Sequence, residues 1–122
     1  MAKRIELCCS ASITANILGA LRNYVDVAFP AGSSDCALVA RESLLDTVRD
    51  LEMQRQNGAA CHYNGRLRAL VKEAVKLHYQ LLAHDLGQDC AAQCAVVLDA
   101  CQGLAVTDAD LQAARERDNA RP

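Results

Sequence analysis

The sequence predicts an all-α protein, a compact antiparallel helical bundle of four to five helices, and three observations lead to this prediction. The 122 residues are 52% hydrophobic but only 3% aromatic, with no Trp and one Phe. A core of aliphatic side chains and Cys favours closely packed helices over a sheet, which usually recruits aromatic residues. Apolar residues recur at spacings of three and four along most of the chain. Residues that typically begin or end helices separate these periodic segments.

The first predicted helix covers the stretch SITANILGALRNYVDVAF. Ser10 or Ser12 can cap its start, and Pro30 and Gly32 end it. Its apolar face is formed by Ile13, Ile17, Leu21, Tyr24, Val25 and Ala28.

The preceding segment KRIELCCS allows two structures. It could extend the first helix, or it could form a short strand with Ile5 and Leu7 on one side. We expect the helical extension, because the sequence offers no second strand with which this segment could pair.

The second predicted helix lies in AGSSDCALVARESLLDTVRDLEMQRQNG. Ser33 or Ser34 is a suitable N-cap, Asp35 complements the helix dipole in the first turn, and Gly58 marks the exit. Its apolar face is formed by Leu38, Leu44, Leu45, Val48 and Leu51.

The third predicted helix, RLRALVKEAVKLHYQLLAHDLG, has the widest apolar face and should therefore be the most buried. Asn64 is its expected N-cap and Gly87 its expected C-terminal cap. The apolar face consists of Leu67, Leu70, Val71, Ala74, Leu77, Leu81 and Leu82.

A fourth helix is expected at roughly residues 90 to 102, with Asp89 as its cap and Gly103 as its stop. A fifth and more polar helix follows in TDADLQAARERD, where Thr107 and Asp110 have the spacing of a capping box. We expect one helical domain over residues 1–117 and a frayed tail over residues 118–122.

Composition excludes several classes of protein. The net charge of -2 and the pI of about 5.9 argue against a dedicated nucleic-acid binder, whose pI is usually above about 9. No apolar run approaches the roughly 20 residues that span a bilayer. Glu6 and Asn16 interrupt the N-terminal stretch, so we expect no signal peptide. Seven cysteines without such a signal predict reduced thiols in the cytoplasm.

The stretch QDCAAQCAVVLDAC places Cys90, Cys94 and Cys101 on one helical face. The favoured interpretation is core packing, because free Cys is often buried and behaves as a small hydrophobe. The alternative is a thiolate site for Cu(I) or Zn, since soft ligands select these metals. Further ligands would then come from Cys61 with His62, or from Cys8 with Cys9.

Two charged rows lie opposite the apolar faces of the second and third helices. The acidic row consists of Glu42, Asp46 and Asp50, and the basic row consists of Arg68, Lys72 and Lys76. Either row could be an ordinary solvated face. Like charges at this spacing repel slightly, however, so the rows could instead meet partners of opposite charge. We expect them not to pair within one monomer, although they could pair between two copies.

The sequence therefore predicts a non-enzymatic binding or regulatory protein that acts through its helix surfaces and could form a homodimer. A concrete form is an accessory inhibitor of the phage or mobile-element type, whose acidic row occupies a basic groove of a host nucleic-acid-handling complex. The alternative is a Cu(I)- or Zn-binding or thiol redox-sensing bundle that uses the cysteines. No catalytic motif is present, so we expect neither an enzyme nor a cofactor.

Overall fold

The computed structural model describes residues 3–120, and within them five α-helices form a helical bundle, as the sequence predicts. The helices are α1 (Ala11–Ala28), α2 (Asp35–Gln56), α3 (Arg68–Leu86), α4 (Ala91–Cys101) and α5 (Asp108–Ala120). Two short strands, β1 (Arg4–Glu6) and β2 (His62–Asn64), and a 3-10 turn (Gly65–Leu67) complete the fold. None of the helices in this part of the chain is long and apolar enough to cross a membrane.

Helix α1 lies at the centre of the bundle, where it packs against α2, α3 and α4, while α5 packs against α4. The core is mainly aliphatic, as the composition predicts, but it also contains the buried Tyr63 and Tyr79. The prediction that α3 is the most buried helix is wrong, because α1 contributes seven buried residues and α3 four. One end of the α3 apolar face stays at the surface, where Leu81 is 43% exposed. The central position of α1, which no periodicity reveals, decides the order of burial.

Most of the predicted helix starts are confirmed. Ser10 Oγ accepts from the backbone N–H of Ile13, and Ser34 Oγ accepts from that of Ala37. Thr107 and Asp110 form the reciprocal capping box, with bonds of 2.9 and 3.1 Å. Asn64 caps the 3-10 turn that precedes α3 rather than α3 itself. These caps satisfy backbone donors that the first helical turn leaves without intrahelical partners.

The expectation of a helical extension before α1 is wrong, because residues 4–6 form β1. This strand pairs antiparallel with β2, with Ile5 opposite Tyr63. The N–H of Leu7 continues the pairing by donating to the carbonyl of Cys61 at 2.8 Å. The carbonyl of Cys8 accepts from Val106 at 3.0 Å. The N-terminal segment therefore joins the connector before α3 to the connector before α5.

The expected fraying from residue 118 is also wrong for the residues that the structure describes. Helix α5 continues to Ala120, and the side chain of Asp118 is 0% exposed. Its carboxylate accepts from the backbone N–H groups of Ala92 and Gln93 and from the Gln93 amide, each at 3.0 Å. These bonds fix the last turn of α5 against the start of α4. The rest of the predicted tail, residues 121 and 122, lies outside the described residues.

Candidate functional site

The basic row lies along the side of α3 that borders α4. Lys76 lines a small cavity there together with Cys90 and Cys94. Lys72 is half-buried, and its positive charge partly offsets the effect of burial on the pKa of Cys101. The row is therefore less separate from the core than its position on the helix predicts.

An open cleft beside the start of α3 gathers further basic residues. We call it the basic cleft. It has a volume of ≈ 580 Å³, and its lining includes Lys3, Arg4, Arg66 and Arg68. Of the described residues that line it, only Glu6 is acidic. The N–H of Gly65 donates to the carbonyl of Lys3 at 2.8 Å, which holds the two parts of the chain together.

Of these four basic residues, only Arg68 belongs to the basic row that the sequence predicts. Lys3 and Arg4 are more than 60 positions away from Arg66 in the chain, and the pairing of β1 with β2 brings them together. The sequence signal for the cleft is the basic pair Lys3 and Arg4, which predicts a charged strand edge only if this segment is interpreted as a strand.

The acidic row is exposed on α2. Asp46 forms an ion pair with Arg49 of the same helix. Glu42 and Asp50 form no ion pair with any residue in the described range 3–120. No ion pair within that range joins the acidic row to the basic row.

A second cleft, of ≈ 510 Å³, brings charges of both signs face to face. Asp46 and Asp50 lie on its α2 side, and Arg4 and Arg66 line it as well. The Nε of Arg4 donates to Nδ1 of His62 at 3.1 Å, which orients the guanidinium at this edge. Arg4 and Arg66 thus stand between the acidic row and the rest of the basic cleft.

The cysteines of the metal hypothesis are spread over the fold. Cys90 and Cys101 are buried and Cys94 is half-buried. Cys101 lies seven positions after Cys94, which corresponds to roughly 10 Å along the axis of α4. Cys61 lies in the connector before β2, paired with Leu7. Across residues 3–120, no three side chains of His, Cys, Asp or Glu are placed to hold one metal ion.

Burial raises the pKa values of five of the thiols. It raises the pKa of Cys101 to about 12, and it also raises the pKa values of Cys9, Cys61, Cys90 and Cys94. A reactive cysteine needs a lowered pKa, because the thiolate is the nucleophile. All five shifts are therefore opposite to the direction that would activate a thiol.

The two charged clefts present side chains that could take part in electrostatic recognition. Comparison with known protein families, curated proteins and solved structures found no match to the chain. Unpaired charges of both signs at the surface are the features that a partner of complementary charge could use.

Proposed function

We propose that this protein is a non-enzymatic binding protein that recognises another protein through its charged surfaces. The observation that carries the proposal is the basic cleft, whose four cations form no ion pair with any residue from 3 to 120. Four like charges around one cleft repel each other, and an acidic surface would relieve that repulsion. Such complementarity sets the association rate and the choice of partner.

The acidic row favours a protein over a nucleic acid as the partner. Asp46 and Asp50 lie in the cleft next to the basic one, and Arg4 and Arg66 line both. A phosphate backbone that follows the arginines would meet these carboxylates and be repelled. A protein surface can present acidic groups to the basic cleft and basic groups to the acidic row at the same time.

In its most specific form, the proposal makes the protein an accessory inhibitor of the phage or mobile-element type. Its partner would be a host complex that handles nucleic acid, because such complexes carry basic grooves for phosphates. The acidic row, at intervals of roughly 6 Å along α2, would occupy such a groove. A second copy of the chain also carries both complementary surfaces, so a homodimer is the other partner that the experiment must distinguish.

The test compares two charge reversals in affinity capture from an extract of the cells in which the protein occurs. The double variant Arg66→Glu/Arg68→Glu alters the basic cleft, and Arg117→Glu alters an exposed arginine on α5 as the control. We expect the double variant to lose at least about tenfold in capture, because complementary charge accelerates association by 10-fold or more. The stability of both variants should stay within about 0.5 kcal/mol of wild type.

Lys72 is a poorer position for the reversal, because it is half-buried beside α4. A partner that both variants capture as well as wild type would show that the basic cleft takes no part in its recognition, and because that cleft carries the proposal, this result would contradict it. Size-exclusion chromatography of the purified proteins separates the two kinds of partner. If the double variant loses only self-association, the basic cleft serves a homodimer.

A further inference from the structure

Two cysteines face one small cavity in the groove between α3 and α4. The cavity has a volume of ≈ 220 Å³, and Cys90 and Cys94 line it together with Lys76, Tyr79 and Asp89. Cys90 is 2% exposed and Cys94 is half-buried. The N–H of Cys94 donates to the carbonyl of Cys90 at 3.0 Å, so the two residues are one helical turn apart. Cys90 is the N-cap residue of α4 and Cys94 lies in its first turn, so the start of this helix places both thiols on the same cavity.

We propose that Cys90 and Cys94 form a two-coordinate site for one Cu(I) ion. Thiolates are the soft ligands that select Cu(I) and Zn. Zinc sites almost always need four ligands, and within residues 3–120 no third metal-binding side chain joins this pair. Cu(I) is a closed-shell ion that two thiolates can satisfy in a linear arrangement. This site is separate from the basic cleft and does not depend on the proposed protein binding.

The charges around the cavity are compatible with such a site. Each thiol releases one proton to solvent as its sulfur binds, so one Cu(I) and two thiols give a complex of charge -1 and two protons. The copper keeps its oxidation state. Lys76 lines the same cavity, and although its ammonium group also forms an ion pair with Glu73 at 3.3 Å, its positive charge acts on Cys94 and would partly offset the negative charge of the complex.

The bound cation would also remove a cost that the fold imposes on bare thiolates. Burial raises the pKa of Cys90, and the carboxylates of Asp118 and Asp89 raise it further. Burial likewise raises the pKa of Cys94, against which the charge of Lys76 acts. A cation between the two sulfurs stabilises their deprotonated form directly, as coordination does for thiols in general.

The other cysteines determine the design of the experiment. Cys8 and Cys36 are exposed, while Cys9, just before α1, and Cys61, just before β2, are half-buried and close enough to influence each other, so they could form a competing pair. The matched variants are therefore Cys90→Ser/Cys94→Ser and Cys9→Ser/Cys61→Ser. Each removes two thiols, but only the first removes the proposed site.

Fully reduced protein is titrated anaerobically with Cu(I) in competition with bicinchoninate, which reports the copper taken by the protein. We expect Cys90→Ser/Cys94→Ser to bind one Cu(I) fewer than wild type, and Cys9→Ser/Cys61→Ser to retain that equivalent. Equal uptake by wild type and Cys90→Ser/Cys94→Ser would overturn the proposal, and so would a loss confined to Cys9→Ser/Cys61→Ser. If circular dichroism shows that Cys90→Ser/Cys94→Ser is unfolded, the same titration is made on Cys94→Ser, because this half-buried thiol can be replaced with little change in packing. Loss of one Cu(I) by Cys94→Ser supports the proposal, and wild-type uptake overturns it.

Discussion

Asp118 shows how one buried carboxylate connects two helices. It accepts two backbone N–H groups of the first turn of α4 and the side-chain amide of Gln93. Replacement of Asp118 by Ala would remove the acceptor and leave these donors unsatisfied in the protein interior. An unsatisfied buried donor costs about 1–3 kcal/mol. We therefore expect Asp118→Ala to lower the free energy of unfolding by about 2–4 kcal/mol, as measured by urea denaturation.

The control for this experiment is Asp85→Ala, which removes an exposed carboxylate near the end of α3. It should change the free energy of unfolding by less than about 0.5 kcal/mol. Similar effects of the two substitutions would mean that the bonds of Asp118 add nothing to stability.

Local signals could not predict the role of this residue. Thr107 and Asp110 lie three positions apart, so their capping box could be predicted from the sequence and is confirmed. Asp118 caps a helix that begins 27 positions earlier in the chain, and only tertiary packing brings the two together. An aspartate close to a polar C-terminus therefore has the sequence signature of a solvated tail.

The N-terminal strand is the element that depends most on a single small residue. A Cβ atom added to Gly65 would lie 2.5 Å from the backbone oxygen of Lys3, which is too close for any relaxed structure. Backbone, unlike a long side chain, cannot rotate away. We expect Gly65→Ala to displace β1 from β2 and to lower the free energy of unfolding by about 1–3 kcal/mol, the usual cost of overpacking.

Gly19→Ala is the matched control, because it makes the same substitution in the middle of α1 with nothing within 4 Å of the new atom. It should raise the free energy of unfolding by about 0.5–1 kcal/mol, since Gly is a poor helix former. Thermal unfolding of the two variants gives the comparison. If Gly65→Ala is as stable as Gly19→Ala, the close approach to Lys3 does not constrain the strand.

The elements differ in how far the sequence predicts them. The long helices carry several turns of apolar periodicity and recognisable caps, such as Ser10 and Ser34, so their existence and type are confirmed. β1 and β2 have three residues each, which is too short for an alternating pattern to stand out. Each strand is stable only because the other pairs with it. The pairing joins segments far apart in the chain, so a local sequence pattern does not predict it.

At the scale of the whole molecule, the acidic row and the basic cleft also differ in whether local sequence or tertiary pairing forms them. The acidic row lies on one helix, so helical spacing alone predicted its exposure on α2. The basic cleft combines the N-terminal strand with the start of α3, and its composition follows from the strand pairing. The proposed binding function rests on the cleft, which is why the sequence could indicate charged faces but not the place where they concentrate.

The buried thiols give the whole molecule a predictable sensitivity to alkaline pH. The pKa of Cys101 is raised by burial from 9.0 to about 12 in the fold. A group whose pKa is higher in the folded state contributes stability that is complete below its unfolded pKa and is lost as the pH rises through the folded one. The loss should therefore begin near pH 9, where the unfolded chain starts to release the Cys101 proton that the folded chain retains.

The contribution of Cys101 can be isolated by comparing wild type with Cys101→Ala under reducing conditions. From pH 9 to pH 10, ionisation of Cys101 in the unfolded chain should lower the free energy of unfolding of wild type by about 1 kcal/mol, and the variant should not show this loss. The other buried thiols and Tyr79, whose pKa burial raises to about 12, are present in both proteins. They cancel in the comparison because the folded Cys101 thiol, with a pKa of about 12, carries no charge that acts on them between pH 9 and pH 10. Urea denaturation at each pH measures the difference, and Cys36→Ala, which removes an exposed thiol, should keep the wild-type slope. Parallel slopes for wild type and Cys101→Ala would show that the Cys101 thiol is as solvated in the fold as in the unfolded chain, which would contradict its place in the core.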